Sequence, residues 1–201
     1  MKNWNNTSDI NFITEELKKN KVFISSTDTI YGFLGNTTKE SYDKIRDLKK
    51  ISEERPFLIL ISSIDKLSSY INTENLSKKV LKFISKCWPG PITFIFKAKQ
   101  EQKTIALRCP KHDGLQKILK EFDGLFSTSA NISSQPPPKK HTEIDRELIK
   151  KVEAVIIDEP EIVNTQPSTI VNLAQGDGDL PFTIVREGAF SKEKIERYFL
   201  S

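Results

Sequence analysis

Apolar residues along this chain recur at two spacings, every second position and every third or fourth, and the change from one to the other marks the elements. Residues 13–20 have helical spacing and lead into Lys21-Val22-Phe23-Ile24-Ser25, an apolar run with strand character. Thr37 and Glu40 have the spacing of a capping box, which predicts a helix to about Lys50 with Tyr42, Ile45 and Leu48 on one face. Residues 57–61 form an unbroken apolar run, the mark of a strand buried on both faces. Val80, Phe83, Ile84 and Cys87 predict a helix over 76–88, stopped by Trp88-Pro89-Gly90-Pro91 because proline cannot continue the hydrogen-bond ladder. Further strands are expected at 92–96, 104–108, 125–127, 154–157, 168–173 and 182–186, and helices around 115–122, 148–152 and 191–199. Residues 133–140 read as a polar, proline-rich loop, and 176–179 as a turn.

Strands alternate with helices, yet several strands are adjacent in sequence. That mixture predicts an α/β fold built on a twisted mixed sheet flanked by helices. With 201 residues and no internal repeat or composition break, one domain over 1–201 is expected, with 1–10 as a flexible, asparagine-rich tail. The 37% hydrophobic content suffices for a core, and 29% charged residues make a polar surface. Neither a signal-peptide core nor an apolar run long enough for a bilayer is present, so a soluble, cytoplasmic protein with no membrane partner is expected. The net charge of +4 favours anionic ligands only mildly. Cys87 and Cys109 lack metal-site spacing and are expected to be free thiols.

The familiar catalytic signatures are missing. No phosphate loop, dinucleotide fingerprint, zinc-binding helix or nucleophile elbow occurs. His112 and His141 lie in polar stretches and read as solvated surface residues. What remains is chemistry by positioning and electrostatics, with no catalytic side chain and no protein metal ligand assigned. Four clusters qualify. Ser26 to Gly32 packs hydroxyls directly after a buried strand, as a self-capped turn or as a ligand loop. Lys49-Lys50 with Arg55-Pro56 is either a solvated helix end or an anion site. Trp88 to Thr93 is a stiff turn. Ser127-Thr128-Ser129-Ala130-Asn131-Ile132-Ser133 has the small residues that let backbone amides approach an anion closely.

The order of these clusters resembles the YrdC/TsaC family of threonylcarbamoyl-adenylate synthases from about Lys21 to Gly188. Ser26-Thr27-Asp28-Thr29-Ile30-Tyr31-Gly32 matches that family's opening motif, and Trp88-Pro89-Gly90-Pro91 its turn. Leu107-Arg108-Cys109-Pro110, Ser129-Ala130-Asn131-Ile132-Ser133, Ser168-Thr169-Ile170-Val171 and Arg186-Glu187-Gly188 follow in family order. The resemblance implies a concave ligand cleft on a YrdC-like sheet, similar to the α/β fold of double-stranded-RNA binders. It implies production of threonylcarbamoyl-AMP and pyrophosphate from L-threonine, bicarbonate and ATP, for N6-threonylcarbamoyladenosine in tRNA. Thr27, Thr29, Arg108 and Ser168 are then expected to bind threonine, and Lys49, Arg55, Ser129, Asn131 and Arg186 to bind ATP. Magnesium is expected on the phosphates, and tRNA and the threonylcarbamoyl-transfer proteins as partners. Three positions depart from the family pattern: Ser26 replaces a proline, Ser134 a glycine, and Ile51 an arginine. An alkyl chain cannot bind phosphate, and Arg55 is expected to compensate. The alternative is a noncatalytic paralogue that binds RNA or nucleotide.

Overall fold

In a computed structural model, residues 1–53, 55–99, 103–161, 166–175 and 180–201 are described. Ten strands form one mixed sheet: β1 (Lys2–Asn3), β2 (Phe23–Ser25), β3 (Gly32–Asn36), β4 (Leu58–Leu60), β5 (Ile92–Lys97), β6 (Thr104–Arg108), β7 (Leu125–Ser129), β8 (Val155–Ile157), β9 (Thr169–Asn172) and β10 (Thr183–Arg186). Their order across the sheet is β1-β8-β2-β3-β7-β4-β6-β5-β9-β10. The helices are α1 (Thr7–Lys18), α2 (Lys39–Leu48), α3 (Leu67–Tyr70), α4 (Lys78–Cys87), α5 (Asp113–Leu119), α6 (Arg146–Ile149) and α7 (Lys192–Leu200).

Strand alternation divides the sheet into a packed face and a partly bare one. In β5, Ile92, Phe94 and Phe96 enter a core built with Phe83 of α4 and Phe199 of α7. Thr93 and Ile95, between them, point the other way into a cavity. The rule repeats on the neighbours: Leu107 is core while Ala106 and Arg108 line the cavity, and Val171 is core while Ile170 lines it. The cavity face is covered at one end by α1 and α5, whose Ile13, Leu17, Leu115 and Ile118 pack on Leu34, Leu60 and Leu125. Beyond them the same strands change from leucine to Ser127 and Ser129, and the face opens.

Two expectations are corrected, and one strand goes beyond those expected. The N-terminus is not a flexible tail. β1 pairs in parallel with β8, Trp4 is 2% exposed, and Asn6 caps α1 six residues earlier than helical spacing suggested. The reason is one large side chain: Trp4 packs against Gly114 so closely that a Cβ there would lie 2.6 Å from its ring. The further strand is β3, whose Gly-Phe-Leu-Gly-Asn lacks clean alternation and which is fully paired between β2 and β7. Second, His112 is not solvated. It is 6% exposed, its Nδ1 accepts from Leu115 N, and its Nε2 faces Asp158 at 3.0 Å. The expected turn at 176–179 lies outside the described residues. Among the described residues no helix is long and apolar enough to cross a membrane.

Candidate active site

The cavity has a volume of about 520 Å³ and is floored by β3, β7, β4, β6, β5 and β9. Eight of the nine expected ligand-binding residues lie on its wall: Thr27, Thr29, Arg55, Arg108, Ser129, Asn131, Ser168 and Arg186. The ninth, Lys49, does not.

Arg108 ends β6, where the strand delivers it to the cavity face. Its Nη1 donates to Thr29 Oγ1 at 2.8 Å and its Nη2 lies 3.2 Å from Asp28 Oδ1. In the sheet β3, β7 and β4 lie between β2 and β6, so the loop after β2 vaults over the face to reach Arg108. The loop keeps its shape through its own hydroxyls, as a self-capped turn does. Thr27 Oγ1 donates to Ile30 O at 2.8 Å and accepts from Thr29 N at 3.0 Å. The segment is a self-capped turn whose Thr27 and Thr29 line the cavity. Arg108 is 3% exposed, and its Nε has no hydrogen-bond partner among the described residues. A buried guanidinium N–H left without a partner is costly.

Trp88-Pro89-Gly90-Pro91 acts as scaffold. Trp88 Nε1 donates to Ile92 O, and Gly90 N donates to Cys109 O at 2.9 Å, next to Arg108. Only glycine fits there, because a Cβ would stand 2.5 Å from Cys87 O. Opposite, Ser168 shares a 2.8 Å hydrogen bond with Thr93, and Arg186 Nη2 donates to Ser168 O at 2.8 Å. Partial burial and the nearby Arg108 charge both lower the Arg186 pKa.

Lys49 sits behind the wall, 2% exposed. Its Nζ donates to Ser129 O (2.6 Å), Asn131 O (2.9 Å) and Asn131 Oδ1 (3.2 Å), and lies 3.4 Å from Ser129 Oγ. Its own carbonyl accepts from Ser133 N at 2.9 Å. The lysine is thus the internal strut of the 129–133 segment. Burial, then the Arg55 charge, lowers its pKa to about 8. The strut also corrects the expected cradle of free amides: Ala130 N donates to Tyr31 O and Asn131 N to Ser129 O. Side chains face the cavity instead, with Ser129 Oγ and Asn131 on its wall.

The end of α2 explains Ile51. Lys50 N donates to Asp47 O and Ile51 N to Arg46 O, with Lys50 at φ 53°. This pair of bonds around a left-handed residue is the Schellman motif, which places an apolar residue just past the left-handed one. Ile51 fills that place, packing on the core cluster of Ile45 and Leu48. Its alkyl chain secures the helix end that aims Lys49. Among the described residues no cluster of His, Cys, Asp and Glu is arranged to hold a metal.

On the flank, Glu161 Oε1 accepts from Tyr31 OH at 2.6 Å and from His141 N at 2.8 Å. Burial opposes ionisation of Glu161, but these bonds and the adjacent His141 ring outweigh it and hold its carboxyl below the usual range. Neither Glu161 nor Asp158 carries a sequence signal; both contacts join residues far apart in the chain.

Residues 15–188 match the model of the Sua5/YciO/YrdC family, described as telomere recombination. A Methanocaldococcus jannaschii relative is 31% identical over 197 residues, covering 94% of this chain and 89% of its own. The threonylcarbamoyl-AMP synthase of Aliivibrio fischeri is 28% identical over 180 residues, 84% of this chain and 96% of its own. Among solved structures, P. abyssi Sua5 complexed with L-threonine superposes with a TM-score of 0.81 at 23% identity, over 95% of this chain and 57% of that one. E. coli YciO gives 0.76 at 22% identity, covering 92% of both chains.

Proposed function

The chain belongs to the Sua5/YciO/YrdC family, and from that premise we propose that its cavity joins L-threonine, bicarbonate and ATP into threonylcarbamoyl-AMP. The carrying observation is Arg108: a guanidinium 3% exposed, on a residue of the cavity wall, pinned by Asp28 and Thr29, with its Nε–H unpartnered among the described residues. Its planar fork suits a carboxylate better than a lysine would. Threonine's carboxylate pairs with Arg108, and Thr27, Thr29 and Ser168 supply hydrogen bonds around the rest of the amino acid.

ATP takes the remainder of the wall. Arg55 and Arg186 neutralise phosphate charge, and Ser129 and Asn131 offer polar side-chain contacts. Because Lys49 already approaches Ser129 Oγ as a donor, the hydroxyl proton is left to point into the cavity. Lys49 acts from behind, holding the segment and adding its charge. The threonine nitrogen bonds to the bicarbonate carbon with loss of water. A carbamate oxygen then attacks the α-phosphorus, the bond to the bridging oxygen breaks, and pyrophosphate leaves. Each step is served by placement and charge complementarity, with no covalent intermediate on the protein. The cavity wall carries no carboxylate among the described residues, so it makes no dedicated magnesium site; the ion belongs to the triphosphate.

The product is an activated anhydride destined for tRNA in the cytoplasm, passed on by threonylcarbamoyl-transfer proteins. The experiment is direct. Purified protein given ATP and bicarbonate should release pyrophosphate only when threonine is added, and release that ignores threonine refutes the assignment. ATP binding without turnover would favour a noncatalytic nucleotide-binding role.

A further inference from the structure

The cavity has three guanidinium groups on its wall, and two are already committed within the protein. Arg108 is held by Thr29 and Asp28, and Arg186 by the Ser168 carbonyl. Lys49 spends its donors on Ser129 and Asn131. Arg55 differs: it lines the cavity, is exposed, and its guanidinium has no hydrogen-bond or ion-pair partner among the described residues. It is close enough to Lys49 for its charge to lower that lysine's pKa, which puts it beside the Ser129–Asn131 wall. A free cation at that place suits a nucleotide phosphate, provided its backbone is held still.

After the Ile51 contact, among described residues 52–55 the hydrogen bonds are those of Arg55 with a single side chain. That side chain is Tyr42. Its hydroxyl donates to Arg55 O at 2.9 Å and accepts from Arg55 N at 3.2 Å, closing a two-point clamp on one residue. The clamp has a firm base: the Tyr42 ring lies 4.9 Å from that of buried Phe57 and 6.0 Å from that of Phe126 in β7.

We infer that Tyr42 is a positioning residue for nucleotide binding, its hydroxyl fixing the backbone of Arg55 so that the guanidinium meets phosphate in one geometry. The inference rests on the ATP-binding reading of the cavity. Bidentate guanidinium–phosphate contact depends on orientation as well as charge, so loosening the root costs affinity without removing the cation.

The test is a double-mutant cycle on ATP affinity, read by calorimetry, with Tyr42→Phe, Arg55→Ala and the double variant. Tyr42→Phe keeps the ring contacts and removes only the two hydrogen bonds. It should weaken ATP binding by about five- to tenfold, the size expected for two exposed neutral hydrogen bonds, with the threonine KM and the melting temperature near wild type. Arg55→Ala should weaken ATP binding more, and adding Tyr42→Phe to it should cause no further loss. Wild-type ATP affinity in Tyr42→Phe overturns the inference, and so does an equal loss in the Arg55→Ala background, which would mean that the tyrosine acts elsewhere. A wild-type protein that fails to bind ATP overturns the cavity reading and this inference together.

Discussion

Raising the pH from about 7 to about 9.5 should discharge Lys49 while the fold holds. Burial and the Arg55 charge have brought this ammonium from 10.5 to about 8. Its charged form supports the wall proposed to receive ATP, with bonds to Ser129 and Asn131. If only the charged form binds well, the apparent Kd rises about tenfold for each pH unit above about 8. Stability moves the other way. The folded state releases this proton at a lower pH than the unfolded chain, so between about 8 and 10.5 the unfolded state binds more protons and Lys49 adds to stability as pH rises. The assay is ATP titration by calorimetry without threonine, whose amino group titrates in the same range, alongside melting curves at each pH. Lys49→Met, which cannot titrate, should give weak affinity with no alkaline limb. Constant wild-type affinity up to about pH 9.5, or an alkaline limb that survives in Lys49→Met, would refute the strut.

Arg108→Ala should raise the threonine KM at least ~30-fold, since losing a buried charged hydrogen bond costs about 2–5 kcal/mol, and leave ATP affinity measured alone unchanged; pyrophosphate release reads the first and calorimetry the second. Lys50→Gly should stabilise the protein by about 0.5–1 kcal/mol in denaturant titration, because φ 53° strains a lysine and suits glycine. Trp4→Ala should cost about 3–5 kcal/mol, a loss that only an anchored N-terminus can produce.

Residues whose partners lie nearby in the chain were legible from sequence. The helix cap falls on Thr38, one residue past the Thr37 of the capping-box spacing, and β5 and β6 fall where the apolar runs placed them. The expected ligand-binding residues came by resemblance to family motifs, since no local rule brings Thr29 to Arg108 across the sheet, and eight of the nine line the cavity. What escaped depends on distant partners. Trp4 looks like a stray aromatic among asparagines until β8 and Gly114 give it a pocket. His112 looks solvated because its polar neighbours are sequential, while Asp158 arrives from another strand end. Burial opposes ionisation of Asp158, but the hydrogen-bonded His112 ring prevails and keeps its carboxyl below the ordinary range. Lys49 shows the limit of motif reasoning. The motif named the residue, and only its carbonyl partners revealed that it works from behind the wall.

The pairing of β1 with β8 also sets a timetable for synthesis. Asn3 leaves the ribosome long before its partner, Ile157. At ordinary translation speeds that partner emerges roughly 8–30 s later. During this interval the nascent chain carries an uncovered tryptophan, a natural handle for a chaperone.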